Sequence, residues 1–455
     1  MHNGRNDRRE IFGWMMYDWA NSAFQTTVVT VLAGPYLTAL AQNAVGDNGI
    51  VLRIGSVGAV TAKSLYPYAI ALSVFLQVFL LPVLGAVADY THLKKRLMAA
   101  FCYVGAAATS LLFFVSGERY LLGALLLVVA NLSFGASIVL YNAYLNDITT
   151  EDRRDEVSSR GYALGYLGGG LLLAANLALV ALAGSLGLSR GLAVRLSLLS
   201  AGLWWGGFAA VTFALLKSRA PAKPLADGRS PVALAISELR ATLRQLRRLP
   251  QTVRYLVGYM AFNDGIQTVI SIASVFMAQE LFVAKGRPAN ESFLIGLILM
   301  VQFVAFFGSL VFERIARAIG TKRAILLSLA IWTAIVVYAY GFLETVGEAW
   351  VMGAVIAVVL GGSQALSRSL YSRMIPAGRE ASFFGVYEIS ERGTSWIGPL
   401  VFGIVVGATN SYREAILSLI VLFIVGMIVL AATDTDRAVR DAGKLVPTGA
   451  SPSVA

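Results

Sequence analysis

The chain has 455 residues, 57% of them apolar and 14% charged, where an ordinary soluble domain carries about 25% charged residues. With a mean hydropathy of +0.69 it has too little polar material to cover a water-soluble surface, so the formal charge of +11 must be read from where the charges lie. The single cysteine, Cys102, excludes a disulfide within the chain, and His2 and His92 offer no metal cluster, so no metal and no cofactor is expected.

The first ten residues carry Arg5, Arg8 and Arg9 ahead of a long apolar stretch without a small-residue cleavage site. That stretch reads as a first membrane span rather than a cleaved signal. Similar runs recur along the chain, each near the roughly 20 residues that a bilayer-spanning helix needs. Twelve spans are expected, at 11–42, 66–88, 97–116, 120–146, 161–184, 193–216, 253–280, 293–313, 324–343, 349–371, 383–408 and 411–432. Pro35, Pro82 and Pro399 fall inside them, which membrane helices tolerate where neighbours satisfy the freed backbone.

The connection 217–252 divides the chain into a first half, 1–216, and a second half, 253–432. Within it, 231–248 reads as an amphipathic helix started by Ser230 and Pro231. Val232, Ile236, Leu239, Leu243 and Leu246 share one stripe, while Arg240, Arg244, Arg247 and Arg248 point elsewhere. Such a helix suits an anionic membrane surface and equally a face of the bundle. The polar tail, 433–455, is expected to be disordered.

Lys and Arg test the topology, because they accumulate on the cytoplasmic side. With the N-terminus inside, 29 of the 37 fall there. This predicts a multi-pass cell-membrane protein with both termini cytoplasmic. The basic excess is thus a topology signal, its partner is the lipid bilayer, and no nucleic acid is expected. Gly168, Gly169 and Gly170 lie inside a span with no strand before them, which excludes a phosphate loop and instead suits close helix approach.

The halves repeat one another. Tyr17, Asn21, Gln25 and Thr26 match Tyr259, Asn263, Gln267 and Thr268, each pair 242 apart. Gly135, Ser137 and Leu140 match Gly361, Ser363 and Leu366, each 226 apart. The longer outer loop 43–65 absorbs the difference. Parallel six-span repeats are the arrangement of the major facilitator fold, whose solute site lies between the halves. The expected fold is therefore an all-α membrane protein of twelve transmembrane helices in two six-helix repeats.

Polar groups in a bilayer are costly and should face the bundle interior. Tyr17, Asn21 and Gln25 recur every four residues on one face of span 1, with Asp18 adjoining. Asn263, Asp264 and Gln267 do the same in span 7, Gln364 and Arg368 in span 10, and Tyr387 and Glu388 in span 11. Tyr17, Asn21, Gln25, Asn263, Gln267, Gln364, Arg368 and Tyr387 are the substrate-binding candidates. Asp18, Asp264 and Glu388 are candidates for a coupling proton. The competing reading is interhelical hydrogen bonding that only holds the bundle together, and Glu388 could simply pair with Arg392.

Residues 85–96 read GAVADYTHLKKR. Gly85, Asp89 and the cluster Lys94, Lys95 and Arg96 resemble the loop between spans 2 and 3 of the major facilitator family, with His92 in place of its second glycine and Tyr90 in place of an arginine. The second copy, ERIARAIGTKR (313–323), keeps Gly320, Lys322 and Arg323 but has Glu313 and Arg317 at the glycine and aspartate positions. The resemblance implies a cytoplasmic gate formed by the first cluster; a charge run that only fixes topology is the alternative. Asp147 stands where the repeat has Arg373, so these two are expected to pair when the gate closes, and Arg392 is counted with them.

Five segments go beyond the general fold: GWMMYDWANSAFQTTVV (13–29), YNAYLND (141–147), SRGYALGYLGGG (159–170), YMAFNDGIQTVIS (259–271) and GGSQALSRSLYSRMIPAGREASFFGVYE (361–388). Together they look like the branch containing the fungal vacuolar amino-acid effluxers of autophagy and their bacterial relatives. The resemblance implies a permease working by alternating access on a small polar solute, expected to be a monomer; with no ATP-binding motif, transport is expected to be facilitated or ion-coupled, a proton being the candidate coupling ion. Amino-acid efflux is the leading substrate reading, and sugars, drugs and other metabolites stay open. A non-transporting membrane sensor or assembly protein on the same fold is the alternative. An enzyme is not expected, because no nucleophile, base and orienting group stand together.

Overall fold

The computed structural model describes residues 5–46, 49–54, 58–218, 242, 244–287, 291–392, 397–409 and 411–444. The first half is built from α1 (Arg8–Val45), α2 (Leu65–Tyr90), α3 (Lys94–Leu111), α4 (Tyr120–Ile148), α5 (Arg154–Ala181) and α6 (Arg190–Leu215). The second is built from α7 (Pro250–Leu281), α8 (Glu291–Ile319), α9 (Thr321–Gly341), α10 (Val346–Arg373), α11 (Glu380–Arg392), α12 (Ile397–Thr409) and α13 (Tyr412–Ala432). Among the described residues ten helices are long and apolar enough to cross a bilayer, and α7 makes an eleventh span bent by 52°. The pair α11 and α12 occupies the span expected at 383–408. The helices fall where the apolar runs place them, because intrahelical hydrogen bonding is what lets a chain cross hydrocarbon.

Helix starts follow local chemistry. Asp7 accepts the Arg9 N–H at 3.0 Å ahead of α1. Thr345 and Glu348 form a reciprocal capping box at the start of α10, and Ser411 accepts the Glu414 N–H at the start of α13. Lys217 ties the end of the first half to its beginning, its Nζ 2.6 Å from Asp7 and its N–H donating to the buried Glu10.

Two segments differ from expectation. The outer loop 43–65 carries an antiparallel hairpin, β1 (Ile50–Ile54) with β2 (Gly58–Thr61), so among the described residues the regular structure is helical except for this ribbon. The tail is helical over α14 (Thr435–Lys444): Asp434 accepts the Arg437 N–H, and Ala438 and Ala442, one turn apart, are small enough to bury. Residues 445–455 lie outside the described residues. So does most of the expected linker helix at 231–248, of which only Thr242 and 244–248 are described.

Within the first half α1 packs on α5 and α6, α3 on α4 and α6, and α2 on α4; within the second, α8 packs on α10, α7 on α13, and α9 on both α10 and α13. The halves meet where α2 and α4 face α11, and where α5 faces α8 and α10. The pairings α2 with α11 and α5 with α8 exchange under the repeat, so the internal symmetry of the sequence is also the symmetry of the interface. The hydrogen bonds and ion pairs between the halves gather toward one face, which also carries the described N-terminus and α14. We call it the terminal face.

Candidate functional site

The two halves touch along a pseudo-twofold axis, and a residue near such an axis meets its own equivalent. Arg368 Nη1 donates to Asn142 Oδ1 at 3.3 Å, and Asn146 Nδ2 donates to the Ser372 carbonyl at 2.8 Å; both pairs are 226 residues apart, the spacing of the repeat. The repeat in spans 4 and 10 therefore does more than build two similar bundles. It brings α4 and α10 face to face at the centre of the molecule.

Arg368 reaches from α10 into the first half. Its guanidinium carbon lies 4.9 Å from the Trp14 ring, 5.5 Å from Tyr141 and 4.2 Å from Tyr162, distances at which a cation is attracted to an aromatic face. Its Nε donates to Ser158 Oγ at 2.9 Å and its Nη2 to the Ser158 carbonyl at 3.0 Å. Nη2 also stands 3.4 Å from Asp18 Oδ2, to which the Tyr141 hydroxyl donates at 2.6 Å. Arg368 and Asp18 are both buried. Such a pair is held by the hydrogen bonds its own polar atoms make to Tyr141, Asn142 and Ser158; removing one member would strand the other in low dielectric. The walls also brace one another: Trp14 Nε1 donates to the Tyr141 carbonyl at 2.9 Å, and the two rings stack at 4.3 Å. Gly161 completes the wall, since a Cβ there would collide with Asp18 and Trp14.

The span-1 candidates do not share one environment. Tyr17 is fully buried against Tyr141 and Phe213, inside the first half rather than toward the axis. The i, i+4 pattern that joined it to Asn21 describes a stripe wide enough to straddle two faces. Asn21 is buried, while Gln25 is exposed one turn further on, at a π-helical stretch (Phe24–Leu32) in which Thr30 Oγ1 reaches back five residues to the Gln25 carbonyl. Such widened turns concentrate at functional sites.

In the second half Tyr259 donates to Glu391 Oε2 at 2.9 Å, and Asn263 Nδ2 donates to the Glu391 carbonyl at 3.2 Å. Tyr387 stacks on Tyr259 at 4.5 Å and on Tyr371 at 4.9 Å. Asp264 accepts the Gly398 N–H of α12 at 2.8 Å. Gln267 is half-buried on the same helix. Gln364 accepts the Tyr166 hydroxyl across the halves at 2.8 Å. Glu388, buried, accepts from Asn142 Nδ2 at 2.8 Å and so joins α11 to α4. The side chain of Arg392 lies outside the described residues.

Toward the terminal face the first gate cluster divides its labour. Asp89 is buried and its two oxygens accept the Ala381 and Ser382 N–H groups at 2.9 and 2.7 Å. A carboxylate from one half thus caps a helix of the other, where the helix dipole favours negative charge. A Cβ on Gly85 would overlap the Ala381 carbonyl, so only glycine lets α2 come this close. Lys94 pairs with Asp147 at 3.0 Å, Lys95 donates to the Leu216 carbonyl at 2.5 Å, and Arg96 is exposed.

The expected pair of Asp147 with Arg373 is not formed. Asp147 is taken by Lys94 within its own half. Arg373 instead lies 2.8 Å from Asp155, which also accepts the Thr321 hydroxyl at 2.6 Å. The repeat-equivalent charges of α4 and α10 face each other less directly than Arg373 faces the first turn of α5. In the second loop copy Glu313 and Arg317 pair with each other.

Sequence reasoning missed Trp14, Tyr141, Asn142, Ser158, Gly161 and Tyr162. One signal was present: Trp14 stands four residues before Asp18, on its face of the helix. Nothing local marks Tyr162 as facing a cation from the other half.

The comparisons agree with this architecture. The sequence matches the family described as "Vacuole effluxer Atg22 like" over residues 6–443. It is 30% identical over 420 residues to the uncharacterized MFS-type transporter YxiO of Bacillus subtilis, covering 92% of this chain and 93% of that one. It is 28% identical over 462 residues to autophagy-related protein 22 of Yarrowia lipolytica, covering 82% of this chain and 76% of that one. In fold it resembles the major facilitator transporter FucP in its outward conformation, with a TM-score of 0.66 at 12% identity over 94% of this chain and 98% of FucP. It also resembles a bacterial homologue of the iron transporter ferroportin in an outward-facing state, with a TM-score of 0.65 at 12% identity over 93% of this chain and 98% of that one. The chain is a multi-pass membrane transporter and belongs to the Atg22-like branch of the major facilitator superfamily.

Proposed function

We propose that the protein is a secondary-active permease that moves a small polar organic solute by rocking its halves about the central junction. Amino-acid efflux is the leading reading of the substrate, in keeping with the effluxer family that the sequence matches. The observation that carries the proposal is Arg368, a cation of the second half seated in a box of the first. A contact made between halves, and on one side of the bundle, is what alternating access makes and breaks. The proposal places both termini in the cytoplasm, so that the closed terminal face is the cytoplasmic gate. Asp18 is the candidate for a coupling proton, because it is the carboxylate left without a counter-charge when Arg368 withdraws, with only the Tyr141 hydroxyl still donating to it. The altered second loop does not weaken the reading, since Asp155, Thr321 and Arg373 join the halves near it.

The test is counterflow into proteoliposomes loaded in turn with amino acids, dipeptides, sugars and nucleosides. Accumulation of a labelled amino acid, lost in Asp18→Asn while the variant still inserts and folds, is the expected result. No accumulation of any solute by well-folded protein would sink the transport reading and leave a sensor or assembly role.

A further inference from the structure

The box around Arg368 has one property that a simple ion pair lacks. Its walls, Trp14 and Asp18 on α1, Tyr141 and Asn142 on α4, and Ser158 and Tyr162 on α5, all belong to the first half. Among the described residues of the box, only the occupant comes from the second. Trp14, Tyr141 and Asp18 are braced without it, by the Trp14 to Tyr141 hydrogen bond, the stacking of those rings and the Tyr141 to Asp18 hydrogen bond, whereas Ser158 and Asn142 also donate to the Ala365 carbonyl and to Glu388 of the second half. When the halves part on the terminal face the walls stay together and the guanidinium leaves. What remains is a preformed pocket of three aromatic faces and one carboxylate. That is the chemistry that selects an organic cation, and its preorganisation removes the ordering cost from the ligand.

We infer that this box is the binding site for the cationic group of the transported solute, a primary ammonium or a guanidinium, in the state open at the terminal face, with Arg368 as the internal ligand that replaces it when that face closes. The inference rests on the transport reading above and narrows its substrate to amine- or guanidine-bearing solutes. The exchange of occupants also supplies a coupling rule: the halves part readily only when a cation takes the place that Arg368 vacates, because an empty box leaves Asp18 without a counter-charge.

Two measurements test it. In the first, purified full-length protein is titrated with methylguanidinium chloride against equal sodium chloride, and thermal stabilisation is followed, since a ligand of the folded state must raise its stability. Arg368→Ala should bind the probe at least about tenfold more tightly than the unaltered protein, in which the side chain competes. The double variant Asp18→Asn with Arg368→Ala should lose the effect. A folded Arg368→Ala that responds no more than the unaltered protein overturns the inference.

The second measurement needs no variant. Proteoliposomes of the unaltered protein exchange a labelled solute against pairs of analogues that differ only by an amino group or a hydroxyl at the same carbon. The amine should exchange at least about tenfold faster than its hydroxyl partner. Equal exchange of both overturns the inference while leaving the permease intact. Absence of all exchange sinks the transport reading instead, and methylguanidinium binding then decides whether the box is a cation site.

Discussion

Asp18 and Arg368 are 350 residues apart and meet only because the halves dock. Each alone is an ionised group in a low-dielectric interior, and stranding one partner of a buried pair costs about 3–5 kcal/mol. Asp18→Asn and Arg368→Gln should therefore each lower thermal stability strongly, and the double variant should cost clearly less than the sum of the two. A thermal-melting double-mutant cycle measures this, and simple additivity would show that the pair is not coupled. The sequence marked both residues as charges inside apolar spans. It did not mark them as partners, and it grouped Tyr17 with Asn21 and Gln25 although Tyr17 points into the core of the first half. Helical periodicity tells which residues share a side of a helix, and the packing of neighbours tells what that side faces.

At the scale of elements the gate is a capping problem. Asp89 satisfies two N–H groups at the start of α11, and losing a cap costs about 0.5–2 kcal/mol. If that energy is spent in the closed state alone, Asp89→Ala shifts the gate toward opening by roughly two- to thirtyfold. A Ser372→Cys reporter at the buried junction should then label faster with a membrane-impermeant maleimide, Cys102 being itself buried. Unchanged labelling would mean that Asp89 does not hold the gate.

Glu380 adds a pH dependence. It lies ahead of the span proper, at the mouth of the gate, where burial and the nearby charges of Asp147 and Asp89 push it up from 4.5 to about 7 against the opposing pull of Lys94. Arg154 of α5 also faces it, across a small cavity that both line. Opening returns Glu380 to water and its pKa toward 4.5, so the closed gate binds the proton more tightly. Closure is thus favoured below that value and loses this support as pH rises through about 7. Labelling of the same reporter, normalised to the denatured thiol at each pH, should increase between pH of roughly 6 and 8. Glu380→Gln should flatten the profile, and an equal rise in that variant would assign the effect to another group. The sequence showed the acidic and basic residues of this loop region but not that α11 starts against α2, because that approach depends on Gly85 and on the docking of two halves.

At the scale of the whole molecule, the uneven spread of Lys and Arg predicts that a fluorescent protein fused to the C-terminus glows in the cytoplasm while alkaline phosphatase fused there stays inactive. The opposite pattern would invert the membrane orientation and turn the closed face outward. The architecture was largely written in the linear chain. Twelve apolar runs, a break at 217–252 and matching residues at spacings of 242 and 226 follow from hydrophobic length and internal repetition, and both survive without knowledge of any contact. Short-range chemistry was legible too, as in the Thr345 to Glu348 capping box. The tertiary structure alone decided which charges pair, that Arg373 takes Asp155 rather than Asp147, that the polar segment Thr435–Lys444 folds as a helix on the terminal face, and that one half supplies the described walls of a box whose occupant belongs to the other. Hydrophobic periodicity is a property of one helix at a time, whereas a buried charge is stabilised by groups converging from several, and their convergence exists only once the helices are packed.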